Sequence, residues 1–212
     1  MSDRGVDSQA IPPEAVGLLR EADAVLREVI DRVGAFEPSH EPDLWWSLVD
    51  AIISQQLSVK AAATIAGRVA ALGEDGARPT PEALLALPDE TLRACGLSRA
   101  KTVYVKDLAA KWLDDTLQPE RLVALSDDEV VEHLVRVKGI GRWTAEMFLI
   151  FTLRRPDVLP VDDLGLRVAV QRAYSLAERP GRAELERIGE PWRPYRSAAT
   201  LYLWRSLKLP AA

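Results

Sequence analysis

The chain has little of the chemistry that disulfides, metal centres and membrane spans require. Its 212 residues include one cysteine, Cys95, and two histidines, His40 and His133. No internal disulfide, four-cysteine zinc site or cysteine-ligated iron–sulfur cluster can be assembled from that set. A lone cysteine fits a reducing compartment, and the expected location is cytoplasmic. No run approaches the roughly 20 apolar residues of a membrane-spanning helix, and the opening MSDRGVDSQAIPPEA has no apolar signal core. A soluble chain without a membrane partner is expected. An excess of positive charge is also missing, since 27 basic residues face 32 acidic ones for a net charge of −5.

What is present is enough apolar and charged sequence, 48% and 28%, to bury a sizeable core as one domain or two lobes. The charge is uneven along the chain. Residues 1–120 carry 12 basic and 20 acidic side chains, net −8, whereas residues 121–212 carry 15 and 12, net +3. An anionic partner is therefore expected to meet the C-terminal half.

Apolar residues recur at spacings of three and four throughout, which predicts an all-α chain. One helix is expected over about 13–33. Further helices start at Asp43, Ser58, Thr80-Pro81, Pro88-Asp89, Ser98, and the capping box Ser126–Glu129. The helix from Val59 is expected to reach about Leu72, and segment 98–114 to place Val103, Tyr104, Leu108 and Trp112 on one stripe. Asp162-Asp163 heads another helix, and Pro194 begins the last.

Between the capping-box helix and a helix restarting at Arg142 stands Gly139-Ile140-Gly141. Two glycines permit a short turn whose N–H groups face outward beside the positive end of the following helix, an arrangement suited to phosphate. The same turn also serves as a plain helix–helix connection. It is neither a P-loop, which needs Gly-Lys-Ser/Thr, nor a dinucleotide fingerprint, which needs a preceding strand and a third glycine where this chain has Thr144.

The longer string Leu134-Val135-Arg136-Val137-Lys138-Gly139-Ile140-Gly141-Arg142-Trp143-Thr144-Ala145 is followed by Leu159-Pro160-Val161-Asp162-Asp163-Leu164. With Ile52-Ile53-Ser54-Gln55-Gln56-Leu57-Ser58, and Gly96-Leu97-Ser98 followed by Lys101, it resembles the helix-hairpin-helix DNA glycosylase superfamily. Within that superfamily it is similar to the alkylation-repair branch of the DNA-3-methyladenine glycosylase II type. The resemblance runs from about Trp46 to Trp204. It implies a two-lobed helical fold with the active-site cleft between the lobes. Lobe A is expected over about 48–153 and lobe B over about 12–47 plus 154–212, with residues 1–11 disordered and no additional β-rich N-terminal domain.

The implied chemistry is excision of an alkylated purine of the 3-methyladenine or 7-methylguanine type, in the base excision repair of damaged double-stranded DNA, by a monomer. Asp163 is the carboxylate that stabilises positive charge on the sugar and orients water, with Asp162 as the ordinary helix cap. Trp143 stands where bifunctional relatives carry a nucleophilic lysine, so the resemblance implies a monofunctional enzyme that leaves an abasic site. Trp143 and Trp204 match base-pocket positions, Tyr195 and Trp192 fall near them, and electron-rich faces suit cationic bases. Trp45 and Trp112 are expected in the core.

Gln56 or Leu57 fills the gap left by the extruded nucleotide. Gln56 departs from the apolar wedge of the alkylation-repair branch and is similar to the oxidised-pyrimidine branch. Lys138, Gly139, Gly141, Arg142 and Thr144 contact the DNA backbone, Lys138 replacing the usual proline. No cofactor is required; a structural Na or K ion is implied on the main-chain carbonyls of Val135, Val137 and Ile140. His133 is expected at the surface. Two other readings remain at this point: a glycosylase for ethenoadenine or a deaminated base, and a non-catalytic helix-hairpin-helix DNA-binding module. A scaffold protein would show no salt-dependent DNA affinity.

Overall fold

The computed structural model describes residues 11–210, so the expectation for residues 1–10 lies outside the described part. Among the described residues there are thirteen α-helices and two single turns of 3-10 helix, and no strand. None of these helices is long and apolar enough to cross a membrane. The chain forms two compact units: the described residues up to His40 with those from Arg154 onward, and Glu41–Leu153.

The first unit opens with α1 (Pro13–Ala22) and α2 (Ala24–Val33), where the periodicity predicted one helix. The break is at Asp23. Its backbone is extended and its Oδ1 accepts the N–H groups of Val25 at 2.9 Å and Leu26 at 3.0 Å, so the side chain caps a new helix. An aspartate inside an apolar repeat has the same spacing whether it caps or continues, which is why the pattern did not show the break.

The second unit contains α3 (Leu44–Ser54), α4 (Val59–Ala70), α5 (Pro81–Ala86), α6 (Asp89–Ala94), α7 (Arg99–Leu113), α8 (Pro119–Leu122), α9 (Asp127–Leu134) and α10 (Arg142–Phe151). The expected caps are made by Asp43, Ser58, Thr80 and Ser98, and Ser126 with Glu129 closes both halves of a capping box. The α4 helix ends two residues earlier than Leu72. On α7 the buried face is Thr102, Val105, Leu108 and Ala109, and Val103 is exposed. That shift turns Lys101, Tyr104 and Asp107 away from the core, with consequences for the site. Trp45 is buried, meets Trp112 edge to face at 5.4 Å and donates its indole N–H to Pro79 O at 2.9 Å.

The chain returns to the first unit with α11 (Leu164–Ala173), α12 (Arg182–Gly189) and α13 (Arg196–Ser206). The last helix starts two residues beyond Pro194 because Tyr195 is its cap. Leu19, Leu26, Leu166, Val170, Leu185, Trp192 and Leu203 form a continuous apolar core, with α13 packed on α2 and α11. Asp23 joins that core, its Oδ2 accepting the Tyr174 hydroxyl and, at 3.0 Å, the Trp192 indole N–H.

Candidate functional site

In the first unit, the loop that leads to Asp163 is fastened to the head of α13. Ser197 Oγ donates to Arg155 O at 2.6 Å and accepts the Val158 N–H at 2.9 Å, while Ser197 N–H donates to Pro156 O at 3.0 Å. Arg196 adds a bidentate pair with Asp157, Nε to Oδ1 at 2.7 Å and Nη2 to Oδ2 at 3.0 Å. Val158, Leu159 and Val161 are buried beyond these ties. One end of the segment is held by hydrogen bonds and the middle by packing, so Asp163 is delivered to a defined place at the head of α11.

Asp163 is itself the cap of α11, with Oδ1 accepting the Leu166 N–H at 2.5 Å. The sequence reading gave the cap to Asp162. Asp162 instead points outward and pairs with Arg182. The same Oδ1 of Asp163 accepts the Trp204 indole N–H at 2.7 Å. Two donors from two helices therefore fix one oxygen. A carboxyl group so held has a fixed orientation, the preorganisation that electrostatic catalysis needs.

Gly165 completes this arrangement. A Cβ there would lie 3.2 Å from Asp163 Oδ1 and 3.4 Å from Trp204 Nε1. The sequence reading passed over Gly165; a glycine in the first turn of a helix, where helix propensity disfavours it, was the available signal. The aromatic expectations divide. Trp204 is half-buried beside the carboxylate, and Tyr195 is half-buried at the cap of α13. Trp192 does not share this exposure: it is fully buried in the core of the first unit and donates its indole N–H to Asp23 Oδ2 at 3.0 Å. Its apolar neighbours outweigh its position near the end of the chain.

In the second unit, α9 and α10 flank the turn at residues 135–141. Gly139 has φ +82°, and a Cβ would fall 2.2 Å from Cδ2 of Tyr104, so both its backbone and the Tyr104 ring require glycine. Gly141 differs from the expectation. Its φ of −98° suits any residue, and a Cβ would meet nothing within 4 Å. What glycine supplies at 141 is open space in front of the first N–H groups of α10, which have no partner inside the helix.

Arg142 and Lys138 are exposed at this turn. Arg142 Nε lies 3.0 Å from Glu146 Oε1, and Lys138 Nζ lies 3.8 Å from Asp107 Oδ1. Thr144 does not reach outward as expected; it is buried, with Oγ1 3.5 Å from Gln55 Nε2. Trp143 is 44% exposed on α10. His133, half-buried, keeps its Nδ1 2.8 Å from Glu129 O.

Gln56 and Leu57 are exposed in a tight turn between α3 and α4. The Leu57 N–H donates to Ser54 O at 3.2 Å, Gln55 has φ −52° and ψ 130°, and Gln56 has φ 57°. These are the features of a type II turn, whose third position favours glycine or asparagine. A glutamine there is a strained, outward-facing residue of the kind that functional sites retain.

Among the described residues no group of three or more His, Cys, Asp or Glu side chains suits a metal ion. The carbonyl oxygens of Val135, Val137 and Ile140 are neutral donors compatible with a hard monovalent cation. Val137 O accepts the Ile140 N–H at 3.1 Å and keeps its second lone pair.

Residues 49–194 match the family described as "HhH-GPD superfamily base excision DNA repair protein". The chain is 36% identical over 187 residues to DNA-3-methyladenine glycosylase 1 of Schizosaccharomyces pombe, covering 86% of this chain and 82% of the relative. It is 30% identical to DNA-3-methyladenine glycosylase 2 of Escherichia coli, covering 85% and 65% of the two chains. Its structure is similar to that of the S. pombe 3-methyladenine DNA glycosylase in complex with abasic DNA, with a TM-score of 0.86, 35% identity, and coverage of 94% and 98%. A DNA-3-methyladenine glycosidase from Bacillus halodurans gives a TM-score of 0.82 at 38% identity, with coverage of 93% and 90%. With the family matched across most of the chain and the hairpin and aspartate in the expected elements, the protein belongs to the HhH-GPD superfamily of base excision DNA repair proteins.

Proposed function

We propose that the protein is a monofunctional DNA glycosylase that excises alkylated purines from duplex DNA. The observation that carries this reading is Asp163, held on one oxygen by Leu166 N–H and the Trp204 indole in a chain with a phosphate-ready hairpin. Water adds to C1′ of the deoxyribose as the N-glycosidic bond breaks. The bonding electrons leave with the base, and the proton of water passes to solvent by way of the carboxylate. A 7-methylguanine or 3-methyladenine base is cationic in DNA, so it departs neutral and needs no protonation. Asp163 then acts chiefly by stabilising the developing oxocarbenium charge and orienting water.

Trp143 supports the monofunctional assignment, because an indole cannot form the Schiff base that strand cleavage requires. The half-buried Trp204 and Tyr195, in the same unit as Asp163, supply electron-rich faces for a cationic base, and Trp143 is exposed on α10. Gln56 and Leu57 fill the vacated position in the duplex. The Gly139–Arg142 turn, with Lys138, holds the DNA backbone. A monovalent ion on the Val135, Val137 and Ile140 carbonyls would brace that turn without entering the chemistry. The working form is a monomer, since one chain supplies both carboxylate and hairpin.

The test is a panel of duplexes carrying 7-methylguanine, 3-methyladenine, ethenoadenine or hypoxanthine, scored for free base and for strand breaks with and without alkali. Release of the methylated purines, with breaks only after alkali, is expected. Breaks without alkali contradict the monofunctional assignment, and release confined to hypoxanthine or ethenoadenine contradicts the substrate class.

A further inference from the structure

One half-buried cation in the second unit has no part in the chemistry above. Lys101, in the first turn of α7, places Nζ 2.6 Å from Ile53 O and 2.6 Å from Gln55 O. Those carbonyls lie at the C-terminal end of α3, where a helix leaves its acceptors unpaired and its dipole favours a cation. Burial pushes the Lys101 ammonium below the ordinary lysine pKa range, as expected for a group withdrawn from water to serve those two oxygens.

Directly beyond the gripped carbonyls comes the turn with Gln56 at φ 57°, a backbone that L side chains seldom adopt. Gln55, which carries the second gripped carbonyl and precedes that residue, extends its Nε2 to Gly139 O at 2.8 Å. The turn is thus tied to α7 by its backbone and to the hairpin by a side chain. The same flank of α7 holds the hairpin directly. The Tyr104 ring occupies the space that a Cβ on Gly139 would need, and Asp107 Oδ2 accepts the Lys138 N–H at 2.8 Å.

We propose that Lys101 is a positioning residue for base extrusion: by holding the Ile53 and Gln55 carbonyls it keeps Gln56 in the left-handed conformation that presents Gln56 and Leu57 to the duplex. Tyr104 and Asp107 make α7 the common support of that turn and the hairpin, so that the backbone anchor and the gap-filling residues keep a fixed spacing. This deepens the proposed function and rests on its assignment of Gln56 and Leu57 to the vacated position. Lys101 touches no reacting atom. Its loss should therefore slow extrusion and leave bond cleavage intact.

The experiment compares single-turnover base release from a paired 7-methylguanine and from the same lesion in a one-nucleotide bulge, where unstacking is largely done. Lys101→Met is expected to slow release from the paired lesion by about tenfold, the scale of backbone strain set free. Release from the bulged lesion should stay within about twofold of wild type, because the unstacking step is bypassed there. Adding Gln56→Asn, a residue that tolerates positive φ, should recover most of the loss relative to Gln56→Asn alone.

Equal slowing on both lesions, no slowing on either, or no recovery with asparagine each overturns the proposal. If Lys101→Met does not fold, Lys101→Gln, which keeps a polar end but is too short to hold both carbonyls, decides the matter by the same comparison: selective loss on the paired lesion supports it, and equal loss or no loss overturns it. Wild type releasing no base from either substrate removes the proposed function and this inference with it, whereas normal wild-type release with equal slowing removes this inference alone.

Discussion

The carboxylate of Asp163 is an N-cap, and a capping aspartate has a near-isosteric neutral substitute. Asparagine keeps an oxygen for the Leu166 N–H and caps helices about as well as aspartate, so Asp163→Asn should change Tm by only a degree or two while removing the charge. Trp204→Phe takes away the donor and keeps the ring. A hydrogen bond to a charged group contributes about 1.5–3 kcal/mol, so kcat should fall by about ten- to a hundredfold with folding preserved; single-turnover kinetics beside a melting curve check this, and an unchanged rate would mean that the 2.7 Å contact does not orient the carboxylate during catalysis. Asp163 was legible because it stands in a recognisable string. Its partners were not. That Trp204 donates to Asp163 while Trp192 donates to Asp23 depends on which face of the last segment turns inward, and an indole has the same sequence appearance in either place.

The hairpin makes the corresponding argument at the level of an element, because its two glycines are required for different reasons. Gly139→Ala places a Cβ against the Tyr104 ring at a positive φ, and the backbone alone disfavours that by about 1–2 kcal/mol. Thermal stability and DNA affinity should drop together. Gly141→Ala meets nothing within the protein. It should melt like wild type, and a loss of DNA affinity in that variant would come from crowding a phosphate; undiminished affinity would show that no phosphate approaches there.

Asp107 anchors the same turn from α7. Burial raises its pKa, but the hydrogen bonds from the Lys111 ammonium and the Lys138 N–H, with the charges of both lysines, outweigh it and leave the group below its ordinary value. A carboxylate depressed in the folded state contributes stability above its unfolded pKa of about 3.9, and that contribution is lost as pH falls through the lower folded value. Stability of wild type measured from pH 6 down to pH 2 should therefore include an acid-sensitive part that Asp107→Asn lacks, and superimposable profiles would contradict it. Helix starts were the most legible feature at this scale, because serine, threonine and aspartate caps carry local chemistry. The break at Asp23 and the true inward face of α7 were not, since both depend on long-range packing.

The whole molecule brings the first and last parts of the chain into one unit around Asp163 and the middle into another around the hairpin. This changes the meaning of the charge asymmetry. The positive C-terminal half is divided between the two units, and Glu41–Leu153, which holds the hairpin, carries 12 basic and 17 acidic residues. DNA affinity must then rest on a few local contacts. With about four phosphates neutralised, the logarithm of affinity should fall against the logarithm of salt with a slope of about −3 to −4. Lys138→Gln or Arg142→Gln should each make that slope shallower by about one; a slope that neither changes would remove both from the backbone contacts.

In the proposed function Asp163 performs the chemistry while the hairpin holds the DNA. Its most direct test is a single-turnover time course of free-base release from a 7-methylguanine duplex by wild type and Asp163→Asn, with binding to the same duplex measured in parallel. Asp163→Asn should lose at least about a hundredfold in rate, the scale of a removed electrostatic stabiliser, with affinity within about threefold of wild type, since backbone contacts set affinity. Equal rates from the two proteins would contradict it.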